Sequence, residues 1–455
     1  MKNETAEAFL TSPRPHLLMV TNHGIHDWTV DAGLPDTGGQ NLYVNQLSRT
    51  LASLGFRVTI FNRGGYGHPK NGAPREGVRY RNGEERIIYL EDGRRAFILK
   101  EDMGPQIEAL AEDLVSHLRA SGPVELIISH YWDAAAVTEQ ARSVVGREVP
   151  HLWIPHSLGE LKRKGTPEAL WKDLKLEERV AWERRILEKV DAVGATSQAM
   201  RDTLREEYAV RESLFLPPCV DEDRFNPEAA RRDSSAVDLL ASATDLPVEE
   251  IKGLRIITEV SRTDRTKRKD ILIEAFATVA TRFPDTLLAV TADPGARELY
   301  GELEQLIEDL ALSRRVALLG SIGEYLPSLY GMSTVYCTPS VMEGFGMSIQ
   351  EAAACGVPAV ASARVPFAVE YLRGESFEAR GEIEVGEGAV IVPPDSVEAT
   401  SKALLLLLED EDRRKRMGEA AYRITIPRFT WEVVTRSFLE AAGIAIPGEG
   451  GGAHG

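Results

Sequence analysis

"LPDTGGQNLYVNQLSRTLASLGFRVTI", residues 34–60, joins a pair of glycines to an amphipathic segment and then to a short apolar run. Apolar residues recur at helical spacing over 40–54, and "RVTIFN" at 57–62 is typical of a strand. A further apolar run, "HLLMVT" at 16–21, precedes the glycines. Strand, helix and strand in this order predict two parallel strands joined by a right-handed crossover.

The same alternation continues along the chain in two series. In the first series, strands are predicted at 125–130, 151–156 and 192–197, with helices at 103–120 and 170–189. In the second, strands are predicted at 255–260, 286–292, 316–320, 335–340, 358–362 and 389–393, with helices at 269–282, 297–311, 347–355 and 396–408. Two such series predict an α/β protein of two doubly wound, Rossmann-like domains with parallel sheets.

The division between the domains is expected in "LPPCVDEDRFNPE", residues 216–228, which is rich in proline and acidic residues and is followed by polar residues to about 250. A chain of 455 residues also exceeds the size of a single core. We predict an N-terminal domain over 1–220, a C-terminal domain over 221–429, a last helix over 430–447 that could cross back to the N-terminal domain, and a disordered tail over 448–455.

Composition excludes several classes of function. The net charge of −17 argues against nucleic acid as the main partner, because phosphate neutralisation needs a basic face. Three widely spaced cysteines form no CxxC pair and no disulfide framework, which suits a reducing compartment. No apolar run approaches the ~20 residues of a membrane span, and the first residues do not have the order of a secretory signal. We therefore expect a cytoplasmic protein without stable membrane insertion.

Because ligands of doubly wound sheets bind beyond the carboxyl ends of the strands, residues just after the strands are the first candidates. Gly38 and Gly39 have two explanations: they make a tight entry into a helix, or they let a ligand approach the free N–H groups at its start. His130 and His156 end adjacent predicted strands, which indicates either a shared cleft or two buried structural histidines. No spacing resembles a zinc site, and we predict no metal site.

The segment "EGFGMSIQEAAACGVPAV", residues 343–360, places Glu343 and Glu351 eight residues apart, with Gly344 and Gly346 between them. The glycines would expose backbone N–H groups at a helix start, which suits a phosphate. Glu351, one turn inside the helix, can accept hydrogen bonds from sugar hydroxyls. The alternative is a capped surface helix whose acids face solvent.

Basic residues form two further candidate sites. Arg262 follows a strand in "EVSRTDRTKRKDILIEAF", and Lys267 comes five residues later; together they could neutralise a diphosphate or form a solvated basic turn. The mixed-charge segment at 162–189 could be a salt-bridged helix face. Alternatively, the segment could bind a phosphorylated substrate through Lys162, Arg184 and Arg185. Arg95 and Lys100, which precede the segment, could reach the same substrate.

With these residues assembled, the chain resembles the retaining family-4 glycosyltransferases of the GT-B fold, in particular the bacterial sucrose-phosphate synthase and mannosylfructose-phosphate synthase group. The resemblance covers roughly 16–443. It rests on "DTGGQNLYV", "SHYWDAA", "PHSLGELKRK", the pair Arg262 and Lys267, and the Glu343–Glu351 motif, in the same order as in the family. It implies two Rossmann-like domains that face a central cleft.

The resemblance also implies roles for individual residues. Catalytic roles would fall to His156, Glu343, Arg262 and Lys267. The nucleotide-sugar donor would bind to Gly38, Gly39, Arg262, Lys267, Glu343, Gly344, Phe345, Gly346, Met347 and Glu351, with the backbone of 344–347 contacting the transferred sugar. The acceptor would bind to Gln40, Lys100, Arg95, His130, Tyr131, Lys162, Arg184 and Arg185.

The implied reaction is transfer of a hexose with retention at the anomeric carbon, from a nucleotide-diphosphate sugar such as UDP-glucose or GDP-mannose to a small phosphorylated acceptor. The leaving diphosphate would be stabilised electrostatically, without a carboxylate nucleophile. The resemblance implies no required cofactor; a magnesium ion could bind without being essential. Uridine, guanosine and adenosine donors all stay open, as does the oligomeric state.

Two departures and several alternatives accompany this interpretation. Cys219 stands where relatives have the glycine of "PPG", and "ARVPFAVEYL" at 363–372 replaces their "GGP", with Val365 in place of a glycine near the sugar. A peripheral-membrane glycosyltransferase with a lipid or polysaccharide acceptor could instead dock through 162–189 with Trp171 or Trp182. A sugar-nucleotide epimerase, a phosphorylase with pyridoxal phosphate, and a catalytically silent sugar-nucleotide-binding protein complete the alternatives.

Overall fold

The computed structural model of the chain describes residues 2–30, 34–146, 148–232, 235–320 and 322–448. They form two compact units, of which the second is Pro218–Thr430 and the first comprises the chain before Pro218 together with the residues from Trp431 onward. Residues 449–455, which make up all but one of the predicted disordered tail, lie outside the described residues.

The first unit is built on an eight-stranded sheet. Its strands and an accompanying hairpin are β1 His16–Val20, β2 Arg57–Arg63, β3 Tyr66–Gly67, β4 Pro74–Arg75, β5 Val78–Tyr80, β6 Glu85–Leu90, β7 Leu126–His130, β8 His151–Ile154, β9 Ala192–Ala195 and β10 Leu214–Phe215. Its helices are α1 Lys2–Thr11, α2 Gly39–Ser53, α3 Ile107–Ala120, α4 Tyr131–Val145, α5 Gly159–Gly165, α6 Leu176–Leu187 and α7 Gln198–Glu207. The sheet order is β10-β9-β8-β7-β1-β2-β6-β5, and β3 and β4 pair separately.

The pairing is parallel except between β5 and β6. All five residues of the central strand β1 are buried, because helices cover both faces of the sheet. Leu17 pairs with Val58 on one side and Leu126 on the other. A buried parallel strand of this kind is a continuous apolar run, which is why the sequence pattern found it.

The second unit repeats the plan. Its strands are β11 Arg255–Glu259, β12 Thr286–Thr291, β13 Val316–Leu319, β14 Ser333–Thr338, β15 Ala359–Ser362, β16 Glu378–Arg380, β17 Ile383–Val385 and β18 Ala389–Val392. Its helices are α8 Pro227–Arg232, α9 Ala236–Thr244, α10 Val248–Ile251, α11 Lys269–Arg282, α12 Arg297–Asp309, α13 Leu326–Met332, α14 Met347–Ala354, α15 Val397–Glu409 and α16 Glu411–Thr425. The order is β13-β12-β11-β14-β15-β18-β17-β16, and α17 Trp431–Ala441 packs in the first unit.

The predicted α/β class and the doubly wound sheets are confirmed, and the predicted strands and helices appear with ends shifted by a few residues. Several elements were not predicted, and they are helices α1, α4, α5, α7, α13 and α16, strands β3 to β6 and β10, and the antiparallel hairpin of β16 and β17. The polar segment expected up to about 250 forms three helices instead. Val237 and Leu240 of α9 are buried against the second unit's sheet, so this segment is part of the core.

Candidate functional site

In the second unit, the loops after the adjacent strands β11 and β14 meet at the carboxyl edge of the sheet. The backbone N–H of Val341 donates to the carbonyl of Thr266 at 2.8 Å, which ties the two loops together. Lys267 Nζ donates to Glu343 Oε1 at 2.6 Å and to the carbonyl oxygen of Met342 at 3.1 Å. Lys267 is buried, so an ammonium and a carboxylate are held in fixed positions at this edge.

Arg262 lies in the same loop, exposed and without an ion pair or side-chain hydrogen bond in the part of the chain that the structure describes. Its guanidinium is therefore available to an anion. Glu351 lies one turn inside α14 and accepts a hydrogen bond from the Tyr330 hydroxyl at 3.3 Å. Burial raises the pKa of the Glu351 carboxyl to about 7, so it changes charge near neutral pH.

The glycine loop before α14 is open on one side and packed on the other. No atom lies within 4 Å of the place where a Cβ on Gly344 would be. Gly346 has φ +104°, and a Cβ there would lie 2.9 Å from Cγ1 of Val365. The Phe345 ring is buried against Phe367, with centroids 5.4 Å apart. The loop therefore presents backbone to the outside, and Val365 supports it from beneath.

In the first unit, Gly38 and Gly39 open helix α2. Neither has an atom within 4 Å of its Cβ position, so packing does not require glycine at either place. The N–H of Gly38 donates to Asn41 Oδ1 at 3.0 Å, and Gln40 Nε2 donates to Thr21 Oγ1 at 3.1 Å. The helix start is thus fixed by its neighbours while the space above the glycines stays open.

The two histidines predicted at strand ends contact each other directly. His130 Nδ1 lies 2.9 Å from His156 Nε2, and the rings stack with centroids 5.1 Å apart. Burial lowers the pKa of His156 to about 3 and that of His130 well below its usual range, so both are neutral. His130, which was predicted to contact the acceptor, is fully buried, and its ring lies against that of His156.

A cluster of cations surrounds Tyr131, the first residue of α4, which has φ +76°. Arg179 Nη1 donates to the Tyr131 hydroxyl at 2.6 Å, and both residues line a small pocket with Lys100. Lys162 is half-buried nearby; no described residue gives it an ion pair or a hydrogen bond through its side chain. Burial, with Arg179 and Lys100 close by, lowers the pKa of Lys162 to about 8. Such an arrangement is suited to a phosphate.

Glu183 holds this cluster from behind. Its carboxylate accepts from Arg179 Nε at 2.8 Å and from the N–H of Gly159 at 2.9 and 3.0 Å, and it also accepts the Tyr208 hydroxyl proton. Gly159 begins α5, which carries Lys162. One buried carboxylate therefore fixes the helix that presents Lys162 and the guanidinium that contacts Tyr131.

Three predicted acceptor residues are not brought to this cluster. Arg184 contacts Glu160 Oε1 at 3.4 Å, and the Arg185 guanidinium lies 4.5 Å from the centroid of Trp182. Arg95 is exposed and donates to the Gly65 carbonyl at 3.4 Å.

Arg179, which was not predicted from the sequence, lies in this cluster and contacts Tyr131. The sequence contained a signal for it, because the buried residues of α6 follow helical spacing and form one face that includes Arg179 and Glu183. These residues are Leu176, Arg179, Val180, Glu183 and Ile186.

Two further structural features bear on function. Among the described residues, no group of three or more histidine, cysteine or carboxylate side chains is placed to hold a metal ion. In the same part of the chain, none of the helices combines the length and apolar character needed to cross a bilayer.

Comparisons with known proteins agree with this architecture. Residues 37–224 match the model of Glycosyltransferase Family 4, and residues 244–424 match that of Glycosyl transferases group 1. Mannosylfructose-phosphate synthase of Agrobacterium fabrum is 26% identical, covering 94% of this chain and 91% of the relative. D-inositol 3-phosphate glycosyltransferase of Corynebacterium urealyticum is 28% identical, covering 90% and 91%.

Among solved structures, sucrose-phosphate synthase from Thermosynechococcus elongatus has a TM-score of 0.73 and 26% identity, covering 94% of this chain and 98% of that one. The chain belongs to the family-4 glycosyltransferases, with the GT-B fold, and it is an enzyme of that class.

Proposed function

We propose that this enzyme transfers a hexose from a nucleotide-diphosphate sugar to a small phosphorylated acceptor, such as a sugar phosphate or a polyol phosphate. The observation that carries the proposal is the cation cluster of the first unit. Lys162 has no partner among the described residues, and it lies near Lys100 and the Arg179 guanidinium bonded to Tyr131. Carboxylates balance Lys100 and Arg179, whereas a half-buried ammonium on Lys162 beside these two cations is poorly explained without an anionic ligand.

On the donor side, Arg262 and Lys267 hold the diphosphate and the N–H groups at the start of α14 contribute to it. Glu351 accepts hydrogen bonds from the ribose hydroxyls, and Glu343, fixed by Lys267, contacts the transferred hexose. Gly38 and Gly39 leave space for the donor phosphates at the start of α2. Supporting this assignment, Arg262 is exposed and without a partner among the described residues, as a diphosphate ligand should be before substrate binds.

In the proposed reaction, the bond between the anomeric carbon and the diphosphate oxygen breaks as the acceptor hydroxyl attacks from the same face. The hydroxyl proton passes to the departing diphosphate, which takes the electron pair of the broken bond. The catalytic work is electrostatic: Arg262 and Lys267 neutralise the charge that develops on the leaving group. Neutral His156, oriented by His130, hydrogen-bonds the hexose through Nδ1, which has no bond to any described residue.

Names of the relatives support a phosphorylated acceptor. The two relatives are a mannosylfructose-phosphate synthase and a D-inositol 3-phosphate glycosyltransferase, and the structural neighbour is a sucrose-phosphate synthase. Each name contains a phosphorylated sugar or polyol, although the sugars differ. We infer that the phosphate, rather than one particular sugar, is the shared element that this site recognises.

The test compares two arginines of the same helix. Arg179→Gln removes the guanidinium that contacts Tyr131, whereas Arg185→Gln removes an exposed guanidinium stacked on Trp182. We expect Arg179→Gln to raise the acceptor KM about 10- to 100-fold, since a charge-assisted hydrogen bond contributes about 1.5–3 kcal/mol. Arg185→Gln should leave the acceptor KM within about twofold of the wild-type value.

Each variant's unfolding transition and nucleotide affinity are measured alongside, so that loss of folding is separated from loss of acceptor binding. Equal effects of the two substitutions on acceptor KM would contradict the assignment of the phosphate site. Transfer to lipid-linked acceptors in preference to sugar phosphates would instead favour the peripheral-membrane alternative.

A further inference from the structure

The first unit contains a buried imidazole–carboxylate pair that the proposed reaction does not yet use. His23 lies in the loop after β1, and Asp133 lies in the first turn of α4, directly after β7. His23 Nδ1 and Asp133 Oδ1 are 3.0 Å apart, and the side chains are 6% and 0% exposed. Because β1 and β7 are adjacent parallel strands, the pair lies at the carboxyl edge of the sheet, where ligands bind.

The carboxylate decides which imidazole nitrogen carries the proton. Asp133 can only accept when ionised, so Nδ1 of His23 must donate to it. In the neutral ring Nε2 is then a hydrogen-bond acceptor, and nothing within the described residues bonds to it. Oδ2 of Asp133 is buried without a partner, which is costly for a carboxylate. If the His23–Asp133 pair only filled space, uncharged side chains of similar size would make the fold more stable.

The surroundings of His23 are the residues assigned to the acceptor. Its ring centroid is 4.4 Å from that of Tyr131, whose hydroxyl accepts a hydrogen bond from Arg179 Nη1. The next residue, Gly24, packs so closely on the Asp36 backbone that a Cβ would lie 2.2 Å from its carbonyl oxygen. The Asp36 carboxylate in turn accepts hydrogen bonds from the backbone N–H and from the ammonium of Lys100. His23 therefore lies between Tyr131, which contacts Arg179, and the loop in which Asp36 binds Lys100.

We propose that Nε2 of His23 accepts a hydrogen bond from a ring or chain hydroxyl of the phosphorylated acceptor, and that Asp133 is the positioning residue that keeps Nε2 free for it. This inference rests on the proposed function and adds a determinant of acceptor selectivity. The cation cluster binds any small phosphate, whereas the His23–Asp133 pair selects phosphates that carry a hydroxyl within reach. A site built to bond a hydroxyl discriminates strongly against an analogue that lacks it.

Two substitutions at position 23 separate the two ring nitrogens. His23→Asn supplies an amide N–H in place of Nδ1, so Asp133 stays paired, but it has no atom at the position of Nε2. His23→Gln supplies an amide oxygen near that position. We expect His23→Asn to raise the acceptor KM about tenfold, as loss of one hydrogen bond does, with kcat changed much less. His23→Gln should regain most of the affinity.

The matched control is a second histidine–carboxylate pair involving the same helix. Glu139 of α4 accepts from His151 Nδ1 at 2.5 Å, and both side chains are buried, but His151 begins β8 and so lies at the opposite edge of the sheet. Glu139→Gln should lower the unfolding temperature and leave acceptor KM unchanged. Asp133→Asn should raise acceptor KM about tenfold.

Binding is read by calorimetry with fructose 6-phosphate, glucose 6-phosphate and inositol 3-phosphate, with nucleotide diphosphate present, and KM is read by transfer. Similar behaviour of Asp133→Asn and Glu139→Gln, or unchanged acceptor affinity in His23→Asn, would overturn this inference and leave the proposed function standing. If wild-type enzyme binds none of the three sugar phosphates, the proposed function fails, and the inference fails with it.

Discussion

Lys162 shows how a binding residue can work against the stability of the fold. Its folded-state pKa of about 8 lies below the ordinary 10.5, because burial and neighbouring cations disfavour the charge. The folded protein therefore binds fewer protons than the unfolded chain between these values, and its stability rises with pH across that window. Below pH 8 the cost of the buried charge is present in full. The substitution Lys162→Met should remove it.

We expect Lys162→Met to be more stable than wild type at pH 7 by about 1 kcal/mol, which raises the unfolding temperature by about 2–4 °C. The difference should shrink as pH rises from 8 towards 10.5. The same variant should lose acceptor affinity at least about tenfold, because the phosphate loses a charged donor. Thermal unfolding at pH 7 and 9.5, with acceptor KM at pH 7, tests both parts. A less stable variant at pH 7 would contradict this account of Lys162.

Glu351 gives a second pH-dependent prediction, with the opposite charge. Burial raises its folded-state pKa from 4.5 to about 7, so its ionisation destabilises the fold progressively as pH rises from 4.5 through 7. Glu351→Gln should be more stable than wild type at pH 8 and equal to it near pH 4.5. Wild-type nucleotide affinity should strengthen through pH 7 as the better acceptor, the carboxylate, forms.

Calorimetry with UDP and GDP at pH 6 and pH 8 checks the Glu351 prediction. The variant should bind both nucleotides more weakly at pH 8 than wild type does, with no change between the two pH values. A wild-type affinity that is flat over this range would show that the Glu351 carboxylate does not contact the nucleotide.

Individual site residues could be predicted from the sequence where the strand pattern placed them. Lys267 and Glu343 follow adjacent strands, and the structure joins them at 2.6 Å. Arg184 and Arg185 were proposed from their charge and from the family resemblance, and both are exposed on α6. Arg179 is 4% exposed, and only the burial periodicity of α6 distinguishes it from its exposed neighbours. The His23–Asp133 pair joins positions 110 residues apart and needed the sheet order to be found.

At the scale of elements, strands buried on both faces could be predicted because they are continuous apolar runs. Elements that combine apolar and charged residues could not be predicted in this way. Strand β6 contains Glu85 and Arg86, which suggest solvent, yet both are buried. Glu85 accepts from Ser48 Oγ at 2.9 Å, and Arg86 Nε donates to Thr59 Oγ1 at 2.9 Å. Helix α4 begins at Tyr131, directly after His130 ends β7, so no loop and no turn signal separate the two elements.

Helix α5 provides a prediction at the element scale. A Cβ on Gly159 would lie 2.6 Å from Cγ2 of Val180 and 3.0 Å from Oε2 of Glu183. Gly159→Ala should therefore push α5 away from α6, move Lys162, and cost about 1–3 kcal/mol of stability. Acceptor KM should rise while nucleotide affinity stays unchanged, because Arg262, Lys267 and Glu351 belong to the second unit.

The control for Gly159→Ala is Gly301→Ala in α12, where a Cβ meets no atom within 4 Å. That change should stabilise the protein by up to about 1 kcal/mol, since alanine favours helix over glycine. Unfolding temperatures and acceptor KM are measured for both variants. A harmless Gly159→Ala would show that the contact between α5 and α6 does not position the phosphate site.

For the whole molecule, the two units have complementary chemistry. The first unit holds the cation cluster and the His23–Asp133 pair, and the second holds the Arg262, Lys267 and Glu351 group. Because the net charge of the chain is −17, most of its surface repels phosphates. A local cluster of cations is therefore stronger evidence for a phosphate-binding site. The division predicts that substitutions in the cation cluster change acceptor affinity only, whereas substitutions of Arg262 or Glu351 change nucleotide affinity only.

The most direct test of the central claim is a transfer assay in which each acceptor is paired with its dephosphorylated form. UDP-glucose, GDP-mannose and ADP-glucose serve as donors, and the acceptors are fructose 6-phosphate, glucose 6-phosphate, inositol 3-phosphate and the corresponding free sugars or polyol. The account predicts transfer to at least one phosphate with kcat/KM about 100-fold or more above its dephosphorylated partner, because two or more charged contacts are lost. Equal transfer to both forms, or transfer to neither, would contradict it.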